Sequence, residues 1–445
     1  MDDATLVSGS PVPSADRISD RRPTAWILSY TGVSNEPRVL RQARSLIEAG
    51  WRVVVAGYDG HSPRPAAWIY LRLENQAPRR TVIEWLVHFA LRQIGRALYL
   101  LARWHAGLAQ LGARLYYKGL ANWRRSEADI LDFAAEHPEL VPSLVVAHDY
   151  NTCPPAAELA RRACAPFVVD CHEYARKQFP HNPLWMADQR HFVTAFQDDY
   201  LARADAVTTV CDSIGRLLDR EQRLSMPTVT VRSLPFYQQM PLRPAAEPTI
   251  QVLYHGIIAR GRGLEQVIRS VPLWKPEYRL TIRGNGKPAY VDRLRSLAAA
   301  IAPAGRIRFE PAVSFDRIIP EANQADIGIF VQGDLSPQKR FALPNKFFEY
   351  IMAGLALCVS DLPEMAALLK RYDLGVLVPQ AQPGAIAEAI NSLTRERILA
   401  FKTHSLAAAA ELNWEREQQV MLNLFNRLVA ERARLQGRRA VEDAR

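Results

Sequence analysis

Lys346 and Glu349 stand three residues apart in the run Leu343-Pro344-Asn345-Lys346-Phe347-Phe348-Glu349-Tyr350-Ile351-Met352-Ala353-Gly354, a spacing that puts both side chains on one face of a helix. Pro344 suits a first helical position and Gly354 a C-terminal cap. Free backbone N–H groups at such a start, around Asn345, attract phosphate, while Lys346 adds a point charge and Glu349 can accept hydrogen bonds from ribose hydroxyls. These are the parts of a nucleotide-diphosphate site. A solvated Lys and Glu on an amphipathic surface helix would show the same spacing.

Other residues could serve the same chemistry. Arg260 and Arg262 follow Tyr254-His255-Gly256 and could meet phosphate, with a solvated arginine loop as the alternative. Arg283-Gly284-Asn285-Gly286 is a tight turn after an apolar run. Earlier in the chain, His148-Asp149 and Asp170-Cys171-His172-Glu173 each close an apolar run, the position where parallel sheets collect ligands. His172 could equally be a satisfied core histidine. Arg38 can face a ligand or pair with a carboxylate, and Gly32 would let loop backbone come close to a ligand. His148, Asp149, Asp170 and His172 could in principle hold a metal, but no His-Glu-x-x-His pair occurs, so no metal is expected.

The elements that must position these residues alternate. Ala25 to Tyr30, a glycine-bearing loop, a helical pattern from Pro37 to Ala49 with Gly50 behind it, and Arg52 to Ala56 read as strand, turn, helix, strand. Apolar runs return at Leu144 to Ala147, Phe167 to Asp170 and Ala206 to Val210. Continuous runs of this kind suit strands buried on both faces. The proline-rich stretch 237–248 breaks the pattern and reads as a linker. Six further strands are expected at Ile250 to His255, Tyr278 to Arg283, Ile307 to Phe309, Ile327 to Val331, Leu357 to Ser360 and Gly375 to Val378.

The expected organisation is therefore a polar tail at 1–22, an α/β unit at 23–236, the linker, a second α/β unit at 249–412 and a helix at 413–436 packing back across the two. A helical insertion at about 78–136 interrupts the first unit. On a wheel, Arg92, Arg96, Arg103, Arg114 and Lys118 fall within roughly 80° of arc, opposite Leu91, Ile94, Leu98, Leu101 and Leu115. Gly95, Gly107 and Gly112 argue against one unbroken helix there.

A length of 445 residues with 48% hydrophobic and 23% charged residues suits two domains of about 200 residues with ordinary cores. The net charge of +10 favours anionic partners without choosing among them. Cys153, Cys164, Cys171, Cys211 and Cys358 form no C-x-x-C pair and read as free thiols of a reducing compartment. No apolar leader and no run of about 18 apolar residues appears, so a cytoplasmic protein is expected.

The Lys346–Glu349 segment resembles the donor-site signature of group 1 glycosyltransferases, family four in the usual classification. Two glutamates with seven residues between them are common there. Glu349 matches the later one, while Phe341 stands at the earlier. The segment is similar to the subset with Pro-x-Lys-x-x-Glu, in which the lysine meets the donor phosphates. Arg262 matches the family's pyrophosphate cation, where Lys is usual, and Arg is adequate because it is always charged and forks onto phosphate. The family's other basic position falls on Ile257, with Arg260 the nearest substitute. Gly256 and Gly284 match its glycine turns, Ser34-Asn35-Glu36-Pro37-Arg38-Val39 its entry to the first helix, and His172 its histidine facing the donor sugar.

The resemblance implies two Rossmann-like domains facing across a cleft, the GT-B type, with a nucleotide-diphosphate-sugar donor on the second and the acceptor on the first. It implies retention of anomeric configuration and no cofactor beyond the sugar nucleotide. The assigned roles are His172, Arg262 and Lys346 in catalysis, with Gly32, Gly256, Gly284, Asn345 and Glu349 at the donor. Arg38, His148, Asp149 and Glu173 are acceptor-side or structural. A lipid-linked or glycan acceptor and an anionic membrane surface are the expected partners, the latter through the basic, aromatic insertion. Nucleic acid is not expected, since no motif accompanies the charge. The rivals are a nucleotide-sugar 2-epimerase on the same fold, against which the insertion speaks, and a binding protein that has lost its chemistry.

Overall fold

The structure, a computed structural model, describes residues 22–58, 68–74, 81–101, 105–179, 182–245, 247–333 and 336–443. The expected tail therefore lies, but for its last residue, outside the described residues, as do Arg103 and Trp104 of the insertion. The chain forms two units, Met1–Val231 with Gln418–Arg445, and Arg232–Glu417. The proline-rich stretch 237–248 falls within the second.

In the first unit the described strands are β1 (Thr24–Ser29), β2 (Arg52–Gly57), β3 (Ile69–Arg72), β4 (Leu144–His148), β5 (Phe167–Cys171), β6 (Ala206–Thr209) and β7 (Val229–Thr230). They form one parallel sheet in the order β3-β2-β1-β4-β5-β6-β7. Every residue of β1, β4, β5 and β6 is buried, as strands covered on both faces require. The sequence pattern misses the two edges, β3 and β7, where Leu71 alone is buried and no two-sided apolar pattern is required. Helices α1 (Pro37–Glu48), α2 (Val82–Leu101), α3 (Ala106–Lys118), α4 (Ala121–Glu136), α5 (Cys153–Ala163), α6 (Arg190–Leu201) and α7 (Asp212–Glu221) complete the unit.

The insertion is divided among α2, α3 and α4 rather than forming one unbroken helix, as its glycines argue, but the divisions do not fall at Gly95 or Gly112. Gly95 lies inside α2 and Gly112 inside α3, and neither ends its helix. A Cβ on Gly95 would stand 2.3 Å from the Tyr116 backbone nitrogen, and one on Gly112 2.5 Å from that of Tyr99. The glycines let the two helices touch backbone to backbone. The basic edge is paired in part. Arg114 forks onto Asp199 at 2.7 and 2.9 Å and Arg96 pairs with Asp188 at 3.3 Å, so these two charges are met by the protein's own carboxylates, while Arg92 and Lys118 of the same edge have no ion pair among the described residues. What the outer face offers is apolar: Val82, Ile83, Trp85, Leu86, Val87, Phe89, Ile94 and Leu101 are exposed, Ile83 by 74% and Leu101 by 80%.

The second unit contains β8 (Ile250–His255), β9 (Tyr278–Arg283), β10 (Ile307–Glu310), β11 (Ile327–Phe330), β12 (Ala356–Ser360) and β13 (Gly375–Val378). They form a parallel sheet in the order β10-β9-β8-β11-β12-β13. Its helices are α8 (Leu264–Ser270), α9 (Pro288–Ile301), α10 (Ile318–Ala322), α11 (Pro337–Arg340), α12 (Asn345–Met352), α13 (Pro363–Tyr372), α14 (Pro383–Asn391) and α15 (Arg395–Ala409). The last helix, α16 (Trp414–Asp443), runs beyond the expected end at Gln436. Among the described residues no helix is long and apolar enough to cross a membrane.

Both sheets reverse their winding once, between β1 and β4 and between β8 and β11. Ligands of open parallel sheets bind outside the carboxyl ends of the strands at such a switch.

Candidate functional site

At the switch of the second unit, the loop after β8 carries Gly256, Arg260, Gly261, Arg262 and Gly263, and the segment after β11 leads through α11 to α12. The two are packed without room for side chains. A Cβ on Gly263, at φ +76°, would stand 1.7 Å from the Val331 carbonyl oxygen, and one on Gly284, at φ +154°, 1.9 Å from that of Gly256. The glycines thus bring three pieces of backbone together where β8, β9 and β11 end.

Lys346, in the first turn of α12, points into this cluster. Its Nζ lies 3.8 Å from the Tyr254 ring centroid and 4.9 Å from that of Phe330, and 3.2 Å from where a Cβ on Gly256 would be. Burial, with Arg262 adding repulsion, holds this ammonium well below the usual lysine range. The ring faces, and to a smaller extent the Glu349 charge, work in the other direction. Pro344 is the residue before the helix and Asn345 its first. Glu349, one turn on from Lys346, places Oε2 2.8 Å from His255 Nε2 at the end of β8, and His255 stacks near the Tyr350 ring at 4.8 Å.

Two further cations lie at the same loop. Arg262 is the charge felt by Lys346, and by Lys339 of α11. Lys339 donates from Nζ to the Gly261 carbonyl at 3.0 Å. Sequence reasoning passed over Lys339, whose only signal is a basic pair after Pro337. Arg260, the expected substitute for the missing cation, instead lies over the Tyr290 ring of α9 at 5.9 Å. Ile257 is 66% exposed. Beyond β11, a cavity of about 680 Å³ opens, lined by Gln332, Arg340, Ser360, Asp361 and Lys370 among others.

The first unit gathers a different set. Register pairs Ser29 with His148 and His148 with Asp170, so the strand ends at its switch present one polar cluster. Asp170 is fully buried and accepts from Arg38 Nε and Nη2, Gln42 Nε2 and Thr208 Oγ1, each at 2.7 Å. Burial works against its charge, but Arg38 and His172 outweigh it and hold the carboxyl well below the usual range. Arg38 also donates to the Val231 carbonyl at 2.6 Å and is 2% exposed. It is the anchor of this network.

His172 and His148 are 2.7 Å apart, Nε2 to Nδ1. Burial lowers His148 to about 3. For His172 burial acts downwards, yet Asp149 and Asp170 raise it to about 9. Hence His172 carries the proton at neutral pH and donates it towards His148. Asp149 sits at φ +62°, an uncommon conformation for a side-chain-bearing residue, and its carboxylate accepts the His172 backbone N–H at 3.0 Å. Glu173 accepts from Gln178 and stands outside the cluster's bonds. Gly32 has φ −73°, a conformation open to any residue. Sequence reasoning missed Gln42 and Thr208, which share Asp170 from α1 and β6.

His148, Asp170 and His172 each bring one ligand atom within 4.8 Å of the others. A metal there would compete with the Arg38 guanidinium for both Asp170 oxygens and with the proton on His172. The cluster fits a cation-and-carboxylate network better than a metal centre.

A family profile described as glycosyl transferases group 1 matches residues 249–396, and one described as glycosyl transferase 4-like domain matches 35–235. No curated protein sequence matches the chain. Among solved structures, a sucrose-phosphate synthase from Thermosynechococcus elongatus aligns with a TM-score of 0.68 at 15% identity, over 92% of this chain and 100% of that one. The Anabaena protein HepE, in complex with UDP and glucose, aligns at 0.64 and 12% identity, over 91% and 99%. An E. coli trehalose-6-phosphate structure, bound with UDP-2-fluoro glucose, aligns at 0.60 and 12%, over 90% and 98%. At such identities the likeness speaks for the fold, two Rossmann-like units of the GT-B type.

Proposed function

Because this chain belongs to the group 1 glycosyltransferases, we propose that it moves a sugar from a nucleotide-diphosphate donor, bound at the β8–β11 switch, to a hydroxyl acceptor. The observation that carries the reading is the gathering of Arg262, Lys339 and Lys346 around closely packed glycine loops, with no salt bridge to any of the three among the described residues. Basic side chains collected with no salt bridge attract a polyanion. Glu349, beside His255, is the ribose acceptor in this reading. The solved relatives bound with UDP or a UDP-sugar support the donor class.

In the transfer, the bond from the anomeric carbon to the diphosphate oxygen breaks as the acceptor oxygen forms its own bond to that carbon. The acceptor's proton passes to the leaving diphosphate. Negative charge grows on the diphosphate, so Arg262 and Lys346 stabilise the transition state more than the ground state. The family resemblance supports retention of configuration, and protonated His172 is a donor suited to a sugar hydroxyl. No resident metal enters this scheme. The exposed apolar face of α2 supports an acceptor at a cytoplasmic membrane surface, such as a lipid-linked glycan precursor.

Melting curves with UDP, GDP, ADP, CDP and TDP test the donor class. A ligand present at about 100 times its Kd stabilises the fold by roughly 2.7 kcal/mol. One of the five is expected to raise the melting temperature, and sugar transfer from its sugar conjugate follows. If none does, and nucleic acid does instead, the reading is wrong.

A further inference from the structure

The position directly after Gly256 holds exposed Ile257, and Arg260 lies over Tyr290. The loop after β8 therefore brings one cation, Arg262, to its own turn. We propose that Lys339, from α11, is a diphosphate-binding residue that supplies the second cation of this loop. The assignment rests on the donor reading above.

Three observations converge on Lys339. The segment after β11 is pinned to the loop, since Gly263 abuts the Val331 carbonyl. Ser336 then caps α11 by accepting the Lys339 backbone N–H at 3.2 Å, and the Gln332 side chain reaches the Lys339 carbonyl at 3.4 Å. These bonds fix where the side chain leaves the backbone. Its Nζ ends at the Gly261 carbonyl. An ammonium has three N–H groups, and this contact uses one.

The remaining two belong to a half-buried cation that has a carbonyl but, among the described residues, no ion pair with a carboxylate. Burial and the Arg262 charge both push Lys339 below the usual lysine range, the cost of holding two cations at one loop with no anion between them. A bridging diphosphate removes that cost, and a lysine used only as a latch would not need to stand next to an arginine. Lys346 approaches the same loop at Gly256, so the diphosphate is held by lysines from two different helices and an arginine from the loop.

The test compares Lys339→Gln with Lys339→Arg by titration calorimetry, using the nucleoside diphosphate selected by the melting screen and its monophosphate. Gln can still donate to the Gly261 carbonyl but carries no charge, whereas Arg keeps the charge. Lys339→Gln is expected to weaken diphosphate binding roughly tenfold and monophosphate binding by less than about twofold, with Lys339→Arg close to wild type. Wild-type diphosphate affinity in a folded Lys339→Gln variant would make Lys339 a loop latch and overturn the proposal. So would an equal loss for both nucleotides, since that reports a displaced loop. Failure of the donor reading is distinct, because the wild-type protein would then bind no nucleoside diphosphate at all.

Discussion

Replacing Lys346 with Met should raise stability and lower donor binding at once. The Lys346 Nζ is surrounded by the Tyr254 and Phe330 rings and the Gly256 backbone, and its depressed pKa records that the empty protein holds this charge at a loss. A methionine fills the same channel with an apolar chain of similar length. Replacing buried charges by well-packed apolar groups is commonly neutral or stabilising, by about 1–4 kcal/mol. The low end applies here, because the rings already offset part of the burial.

Binding should move the other way. A hydrogen bond to a charged group contributes about 1.5–3 kcal/mol, and its loss weakens diphosphate binding roughly 10- to 150-fold. Turnover should fall by at least as much, since charge on the leaving group grows in the transition state. The assay pairs thermal melting of the empty variant with calorimetric titration of the nucleoside diphosphate. A variant that melts lower while binding normally would refute the reasoning and make Lys346 a packing residue.

Removing the anchor of the first unit should be costly: Arg38→Met strips two bonds from buried Asp170 and should destabilise by about 3–5 kcal/mol in denaturant melts, with Asp170→Asn added to recover part of it. The two histidines should titrate apart by NMR, His172 at about 9 and His148 at about 3. His172, raised above the ordinary value, contributes stability that is complete below about pH 6.5 and lost as pH rises towards 9; His148, lowered, contributes stability complete above about 6.5 and lost as pH falls towards 3. Denaturant melts of wild type against His172→Asn should therefore differ most at or below neutral pH and converge above 9. On the apolar face, Trp85 and Phe89 stack at 5.4 Å, and Trp85→Glu should weaken vesicle binding by about 2 kcal/mol, roughly 30-fold, from the apolar area it withholds. Because Arg96 and Arg114 are already paired, wild type should bind zwitterionic vesicles and keep doing so in salt, and flotation that requires anionic lipid would refute this.

The strands at the centre of both sheets were legible because burial on two faces forces continuous apolar runs, as in Val145 to Ala147 or Leu357 to Val359. Strands β3 and β7 were not, since an edge needs neither length nor a two-sided apolar pattern. Lys346 and Glu349 could be paired from spacing alone because one helix carries both. Lys339 could not, because its meeting with Gly261 spans 78 residues and depends on Gly263 fitting under a carbonyl. Gly95 and Gly112 belong to an insertion that is indeed not one helix, but their role was not legible for a related reason: a glycine that lets two helices touch has the same sequence signature as one that breaks a helix. The basic edge of the insertion was real as an arc on a wheel, but the wheel does not show that Asp188 and Asp199 face it.

The charge balance of the two switch points supports dividing the substrates between the units. Around Gly256 and Gly261, three basic side chains gather without a salt bridge among the described residues, as the proposed diphosphate site requires. Around Asp170, Arg38 and protonated His172 face Asp170 and Asp149, so that site is already balanced and suits a neutral, hydroxyl-bearing group. The same network is ill equipped to take a proton: His172 already carries one, His148 is too weak a base at about 3, and Asp170 is held below the usual range by Arg38. Asp149, pushed up by burial, is engaged by the His172 backbone. In the proposed transfer the leaving diphosphate, gaining charge as its bond breaks, is the base that takes the acceptor's proton. If a side chain took the proton instead, the rate would fall on the acidic side with that group's titration; if the diphosphate takes it, the acid limb should be absent down to the pH at which the diphosphate itself is protonated.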